Sequence, residues 1–355
     1  MKKMILALMA TAAAIGFTGV AQAQEKLKVC WVYVGPVGDF GYSYQHDQGR
    51  LQVEKELGDK VKTAFLENVA EGPDAERAFE RLAREGCKLI FGTSFGFMDP
   101  ELKVAAKFPD IKFEHATGFK TAPNMGIYNA RFYEGRYILG QIAAKQSQKG
   151  LAGYIVSFPI PEVVMGINSF MLGAQSVNPD FKVKVVWVNS WFDPGKEADA
   201  AKALFDQGAD IIVQHTDSTA PLQVAQERGL HGFGQASDMT KFAPKSQYTA
   251  IVDDWGPYYV GRVKAALDGT WKPEDRWEGL KDGAVVMAPY ANLPEDVVKA
   301  AQETEAKIKG GWNPFTGPIT KQDGTEFLAK DAVAEDKALL GMNFYVKGID
   351  DQLPK

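Results

Sequence analysis

The residues best able to do chemistry sit in short loops that follow apolar runs. Gly35-Pro36-Val37-Gly38-Asp39-Phe40-Gly41 follows Leu27 to Val34, and Tyr42 and Tyr44 come directly after it. Thr93-Ser94-Phe95-Gly96-Phe97 follows Lys88 to Gly92, and Phe158-Pro159-Ile160-Pro161 follows Leu151 to Val156. Asn189-Ser190-Trp191-Phe192-Asp193 follows Lys182 to Val188, and His215-Thr216-Asp217-Ser218 follows Ile211 to Gln214. Rings, carboxylates and hydroxyls recur together in these loops. That mixture suits recognition of a flat ligand: aromatic faces stack on a ring, and polar groups fix its edge.

The same residues give catalysis little support. The four histidines, His46, His115, His215 and His231, form neither H-E-x-x-H nor H-x-H, and G-x-S-x-G is missing. His46 reads as a surface or packing residue, and His215, at a strand end, as a possible ligand contact. Asp253 and Asp254 are adjacent in a strand and so point to opposite faces, which makes them a poor acid–base pair. The glycines of the first loop are spaced G-x-x-G-x-x-G, which matches neither the dinucleotide fingerprint nor the phosphate-binding loop. The two cysteines, Cys30 and Cys87, form no C-x-x-C. They are free to pair in an oxidising compartment or to stay as buried thiols. The expectation is a binding protein without metal or cofactor.

Strands and helices must alternate to carry such loops. After the strand at 27–34 the pattern predicts a helix at 44–57, a strand at 62–66, a helix at 73–85, a strand at 88–92, a helix at 99–108 and a strand at 112–116. It then restarts. Helices at 131–148, 167–176, 197–207 and 221–228 alternate with strands at 151–156, 182–188, 211–214, 232–235 and 248–252. A helix at 258–267, a strand at 284–288 and a helix at 294–309 follow, and the tail after Gly311 reads as irregular, with a turn at 321–324. This is α/β: two doubly wound parallel-sheet lobes. No Pro/Ser-rich linker separates them, so several chain crossings should join them at a hinge. Lobe I is assigned 24–130 plus about 254–285, and lobe II 131–253 plus about 286–355. In open α/β sheets ligands bind beyond the carboxyl ends of the strands. The site is therefore expected in a cleft between the lobes.

Composition agrees. A net charge of -5 argues against nucleic acid as a partner, and 45% hydrophobic residues are ample for two cores. Lys2 and Lys3, the apolar run Met4 to Val20 and Ala21-Gln22-Ala23 read as a secretory signal peptide, residues 1–23, cleaved after Ala23. The run is short for a membrane span. The expected location is the periplasm, and the expected state a monomer.

Several stretches together resemble the Bmp (basic membrane protein), PnrA-like substrate-binding proteins of ABC importers. They are Gly38-Asp39-Phe40-Gly41-Tyr42-Ser43, the run from Arg136 to Ala144, the run from Ile160 to Phe170, Val177-Asn178-Pro179, Ser190-Trp191-Phe192-Asp193-Pro194, and Gln207-Gly208-Ala209-Asp210-Ile211-Ile212. The resemblance implies a type I periplasmic binding protein fold, permease subunits in the inner membrane as partners, and purine nucleosides as ligands. It implies that Tyr42, with Phe40 beside it, and Trp191 sandwich the purine. Asp39, Ser94, Phe95, Asn129 and Asp217 would surround its edge, and Phe158, Asp238 and Asp253 complete the expected ligand-binding set. Two positions depart from the family. Its G-V-D-x-D-Q stretch reads Gly234-Gln235-Ala236-Ser237-Asp238-Met239, and the strand Tyr248 to Asp253 lacks the family's Lys. Both positions are linked to ribose in the family, so a bare purine base such as adenine is favoured. The alternatives are a nucleoside-binding protein of the same family and a ligand-sensing receptor module.

Overall fold

Continuous apolar runs flanked by helices build two parallel sheets. The computed structural model describes residues 25–354. The expected signal peptide lies outside the described residues. Among them, no helix is long and apolar enough to cross a membrane.

The first lobe contains β1 (Leu27–Val32), α1 (Tyr42–Leu57), β2 (Val61–Leu66), α2 (Pro73–Arg84), β3 (Leu89–Gly92), α3 (Met98–Lys107), β4 (Lys112–Ala116) and β5 (Met125–Ala130). The second contains α4 (Phe132–Gln146), β6 (Leu151–Val156), α5 (Pro161–Gln175), β7 (Lys182–Trp187), α6 (Pro194–Asp206), β8 (Ile211–His215), α7 (Ala220–Glu227), β9 (His231–Gly234) and β10 (Gln247–Asp253). The chain returns to the first lobe for α8 (Gly256–Leu267) and β11 (Asp275–Glu278), then to the second for β12 (Val285–Met287) and α9 (Glu295–Lys309). The strand orders are β11-β5-β4-β3-β1-β2 and β12-β10-β9-β8-β6-β7. Within these two sheets every pairing is parallel except that of β12 with β10.

Both faces of each sheet are covered. In β1, Val29 and Trp31 join an apolar cluster that continues through the crossovers into lobe II, while Cys30 and Val32 face the α2–α3 layer with Phe79 and Phe97. Such two-sided burial is why these strands read as unbroken apolar runs rather than alternating ones. Cys30 and Cys87 form a disulfide, joining β1 to the turn before β3. In lobe II, α4 and α5 cross closely because Gly140 and Gly173 lack side chains. A Cβ at Gly140 would lie 2.0 Å from the Phe170 carbonyl oxygen, and one at Gly173 2.0 Å from that of Tyr137.

Three crossings link the lobes: β5 to α4, β10 to α8, and β11 to β12. Arg131 stands at the first. Its Nε donates to the Trp277 carbonyl at 3.2 Å, and its guanidinium lies 4.1 Å from the centre of the Trp277 ring. It also makes a bidentate pair with Asp336, at 2.8 and 2.7 Å. Asp336 opens a short helix, α10 (Asp336–Leu340), in a tail that was expected to be irregular. That tail also holds a hairpin, β13 (Ile319–Thr320) with β14 (Glu326–Leu328), and pairs Ile349 with Val183 on the edge of the second sheet.

Three element readings need correction. β5 was not expected, because Gly126 and Asn129 interrupt its apolar pattern. β11 (Asp-Arg-Trp-Glu) was not expected either; it is an edge strand whose charged residues are compatible with exposure, and pairing with β5 defines it. The helix expected from Ile167 starts at Pro161, whose fixed φ suits the first helical position, with Glu162 in the first turn.

Candidate functional site

The carboxyl ends of the two sheets face each other across a narrow cleft. Val34, Tyr42, Ser94, Phe95 and Thr117 line it from lobe I. Ile160, Glu162, Trp191, His215, Asp217 and Gln235 line it from lobe II; counting open solvent, the space between amounts to about 340 Å³, and about 20 Å³ of it can hold the centre of a water molecule. The lobes touch at the rim. Ser237 Oγ donates to the Phe40 carbonyl, and the Phe40 ring lies 4.6 Å from that of Phe242. A Cβ at Gly41 would sit 2.3 Å from the Asp217 carbonyl oxygen, so only a glycine lets the two backbones approach this closely.

Tyr42 owes its place to Asp39. The Asp39 carboxylate accepts from the backbone N–H groups of Gly41, Ser43 and Tyr44, at 2.8, 3.0 and 2.9 Å, which satisfies donors at the start of α1. Burial pushes its carboxyl up to about 6 although these donors pull the other way. The Tyr42 hydroxyl is buried with no protein partner.

Across the cleft, Trp191 leans on Phe158, with ring centres 5.2 Å apart, and its carbonyl accepts from the Asp217 N–H at 2.9 Å. Asp217 Oδ2 is buried without a partner. Burial raises the Asp217 carboxyl well above the usual range, and the nearby charges of Asp39, Glu197, Asp253 and Glu162 add to this. His215 Nε2 stands 3.5 Å from Glu162 Oε1, too far for a good hydrogen bond. His215 Nδ1 and Glu162 Oε2 have no protein partner, and burial lowers the His215 pKa, which keeps the ring neutral.

Beneath this lining lies Arg136 on α4, fully buried. It donates to the Gln214 carbonyl at 2.9 Å and to Gln235 Oε1, so it orients a residue of the lining. Asp253 is also fully buried there with both carboxylate oxygens unpartnered. Burial and the charge of Glu162 raise its carboxyl well above the usual range, and Arg136 opposes them. Buried polar groups are nearly always hydrogen-bonded, so this concentration of unpaired donors and acceptors makes the cleft the candidate site.

Of the expected ligand-binding residues, Tyr42, Ser94, Phe95, Trp191 and Asp217 come together on the lining. Six are placed elsewhere. Asp39 is engaged at the helix start, and Phe40 is a rim contact with φ of 59°. Asn129 lies in β5, where its Oδ1 accepts from the Ala130 N–H at 2.7 Å. Phe158 backs Trp191, and Asp253 lies below the lining. Asp238 is exposed and closes a turn, accepting from the Thr240 N–H at 2.9 Å and Gln247 Nε2 at 2.7 Å. Sequence reasoning missed Val34, Thr117, Ile160, Glu162 and Gln235 as lining residues. Pro161 at a helix start was the available signal for Glu162. His46, by contrast, is a packing residue, stacked on Trp255 at 4.7 Å.

Residues 26–312 match the family model Bmp, described as ABC transporter substrate-binding protein PnrA-like. A purine-binding protein of Brucella abortus is 68% identical over 98% of this chain and 100% of its own. A Haloferax volcanii ABC transporter protein named for glucose binding is 36% identical over 93% of this chain and 82% of its own. Solute-binding proteins of Conexibacter woesei and Aeropyrum pernix share the fold. Their TM-scores are 0.65 and 0.70 at 20% and 18% identity, covering 80% and 83% of this chain and 97% and 93% of theirs.

Proposed function

The chain belongs to the Bmp family of PnrA-like ABC transporter substrate-binding proteins, and from that premise we propose that its cleft holds a purine base, adenine or a close analogue. The family binds small ligands and works with permease components. The observation that carries the proposal is the ring-lined slot itself: Tyr42 and Phe95 from one lobe and Trp191 from the other line it, beside the unpartnered Glu162 Oε2, His215 Nδ1 and Asp217 Oδ2. Rings suit the faces of a purine. The acidic groups suit its exocyclic amine and ring N–H. Because the groups come from both lobes, a ligand that touches all of them favours the closed form over the open one. The name of the 68% identical relative supports the same ligand class.

A base is favoured over a nucleoside. Ala236 presents only a methyl group, and its carbonyl accepts the Asp253 N–H at 2.8 Å. No lysine occurs in β10. The positions tied to ribose in related proteins therefore offer no ribose partner. In this reading the protein is exported through the segment ending at Ala23 and works in the periplasm as a monomer.

Isothermal titration with adenine, adenosine and glucose tests the proposal. Adenine is expected to bind tightest; tighter adenosine overturns the base, and tighter glucose overturns the purine. The same titration tests Asp217. Burial raises its carboxyl pKa, whereas N–H donors from a ligand favour the ionised form. Below the raised pKa binding then releases a proton, and affinity rises with pH up to it. Heats measured across a pH series should vary with the ionisation enthalpy of the buffer in that range. Heat independent of buffer at every pH would remove Asp217 as the acceptor.

A further inference from the structure

We infer that Glu71 is a positioning residue that locks the Trp191 ring to lobe I when the cleft closes. Glu71 stands in the loop between β2 and α2, outside the cleft lining. One of its oxygens, Oε1, accepts from three donors: Ser94 Oγ at 2.6 Å, the Gly96 N–H at 3.1 Å and the Trp191 indole N–H at 3.3 Å. The first two belong to lobe I and hold the carboxylate in place before lobe II arrives. Gly96 makes the seat possible: a Cβ there would lie 2.3 Å from Glu71 Cδ. The third donor comes from the other lobe, on the ring that the proposed function sets against the ligand.

The bond joining Trp191 to Glu71 runs between the lobes and forms on closure. A preorganised acceptor adds to the stability of the closed form without the cost of ordering a free side chain. It also fixes the plane of the indole, whose other support is Phe158. The effect should fall on ligand release rather than on encounter, because an open cleft has not made the bond. Phe at 191 would keep a ring but lose the donor, so Glu71 would then have nothing to hold across the cleft. The carboxylate also supports Ser94 and Gly96, so a single substitution cannot isolate the cross-lobe bond and a double-mutant cycle is needed.

This inference rests on the proposed placement of Trp191 against the ligand, and the test separates the two. Adenine release is measured by stopped flow in the wild type, Glu71→Ala, Trp191→Phe and the double variant. Each single change is expected to speed release about fivefold, Glu71→Ala to add a smaller factor in the Trp191→Phe background than in the wild type, and Glu71→Gln, which keeps an acceptor oxygen, to act less than Glu71→Ala. The inference is overturned if Glu71→Ala leaves release unchanged, or speeds it by the same factor in the Trp191→Phe background as in the wild type. Failure of the wild type to bind adenine would sink the ligand reading instead. In that case the cycle is read on spin labels at Asp110→Cys and Lys202→Cys, one on each lobe. The closed population should fall equally in both single variants and no further in the double; an unchanged distance distribution overturns the inference.

Discussion

Trp191→Ala is expected to weaken adenine binding on the order of 30-fold, about 2 kcal/mol. The loss has two parts. An aromatic stack contributes roughly 0.5–1.5 kcal/mol beyond the area it buries, and the apolar face of the indole adds its own burial term. Truncation also frees Phe158 from the ring it supports and removes the donor that reaches Glu71. The ring is only half-buried and lies in a loop, so the fold should tolerate the change. Titration with adenine, with the melting temperature as a control, checks this. Wild-type affinity in the variant would remove Trp191 from the binding site.

Arg136→Met is expected to lower the free energy of unfolding by about 3 kcal/mol. Methionine fills much of the same volume, so the cost is electrostatic rather than a cavity. The Gln214 carbonyl and Gln235 Oε1 each lose a charged donor in a place without water access. Asp253 loses the cation that opposes its burial, and Glu162 loses a nearby positive charge. Breaking one partner of such a buried set is costly even where the intact set contributes little. Urea unfolding measures the change. A loss below about 1 kcal/mol would mean that the arginine is not compensating these groups. Adenine affinity should fall as well, since Gln235 lines the cleft and loses its anchor.

Much of the fold was legible because two-sided burial leaves a plain mark. Runs such as Leu151 to Val156 and Ile211 to Val213 are apolar throughout, and the helices between them carry one apolar face. The same logic pointed to the cleft, because strand ends in such sheets carry ligand-contacting loops, and five residues named from those loops meet on its lining. What stayed hidden depends on three-dimensional context. β11 is charged, and only its pairing with β5 makes it a strand. Asp39 looks like a ligand carboxylate in sequence, yet the turn brings three backbone donors onto it. Asp238 is similar: a local turn satisfies it. Arg136 stands beside Tyr137, Ile138 and Leu139, but nothing in that run says that its charge is buried. Glu162 was missed because the helix was expected to begin at Ile167. A carboxylate in a first turn at a strand end is well placed to face a cleft.

The side chain at Ala236 is a buried methyl group, and its backbone, with φ of 60°, is tied to Asp253. No carboxylate stands at that position to receive sugar hydroxyls, so the polar demand of the cleft falls on Asp217, Glu162 and His215. These lie beside Trp191 and Tyr42, where the edge of a stacked ring would come.

The most direct test of a purine-base cleft is to ask what the protein carries. Protein purified without added ligand is denatured, and the released small molecule is identified by mass spectrometry. The account predicts a purine base in near-stoichiometric amount. A nucleoside would contradict the choice of base, and a hexose or any other non-purine would contradict the assignment of the site.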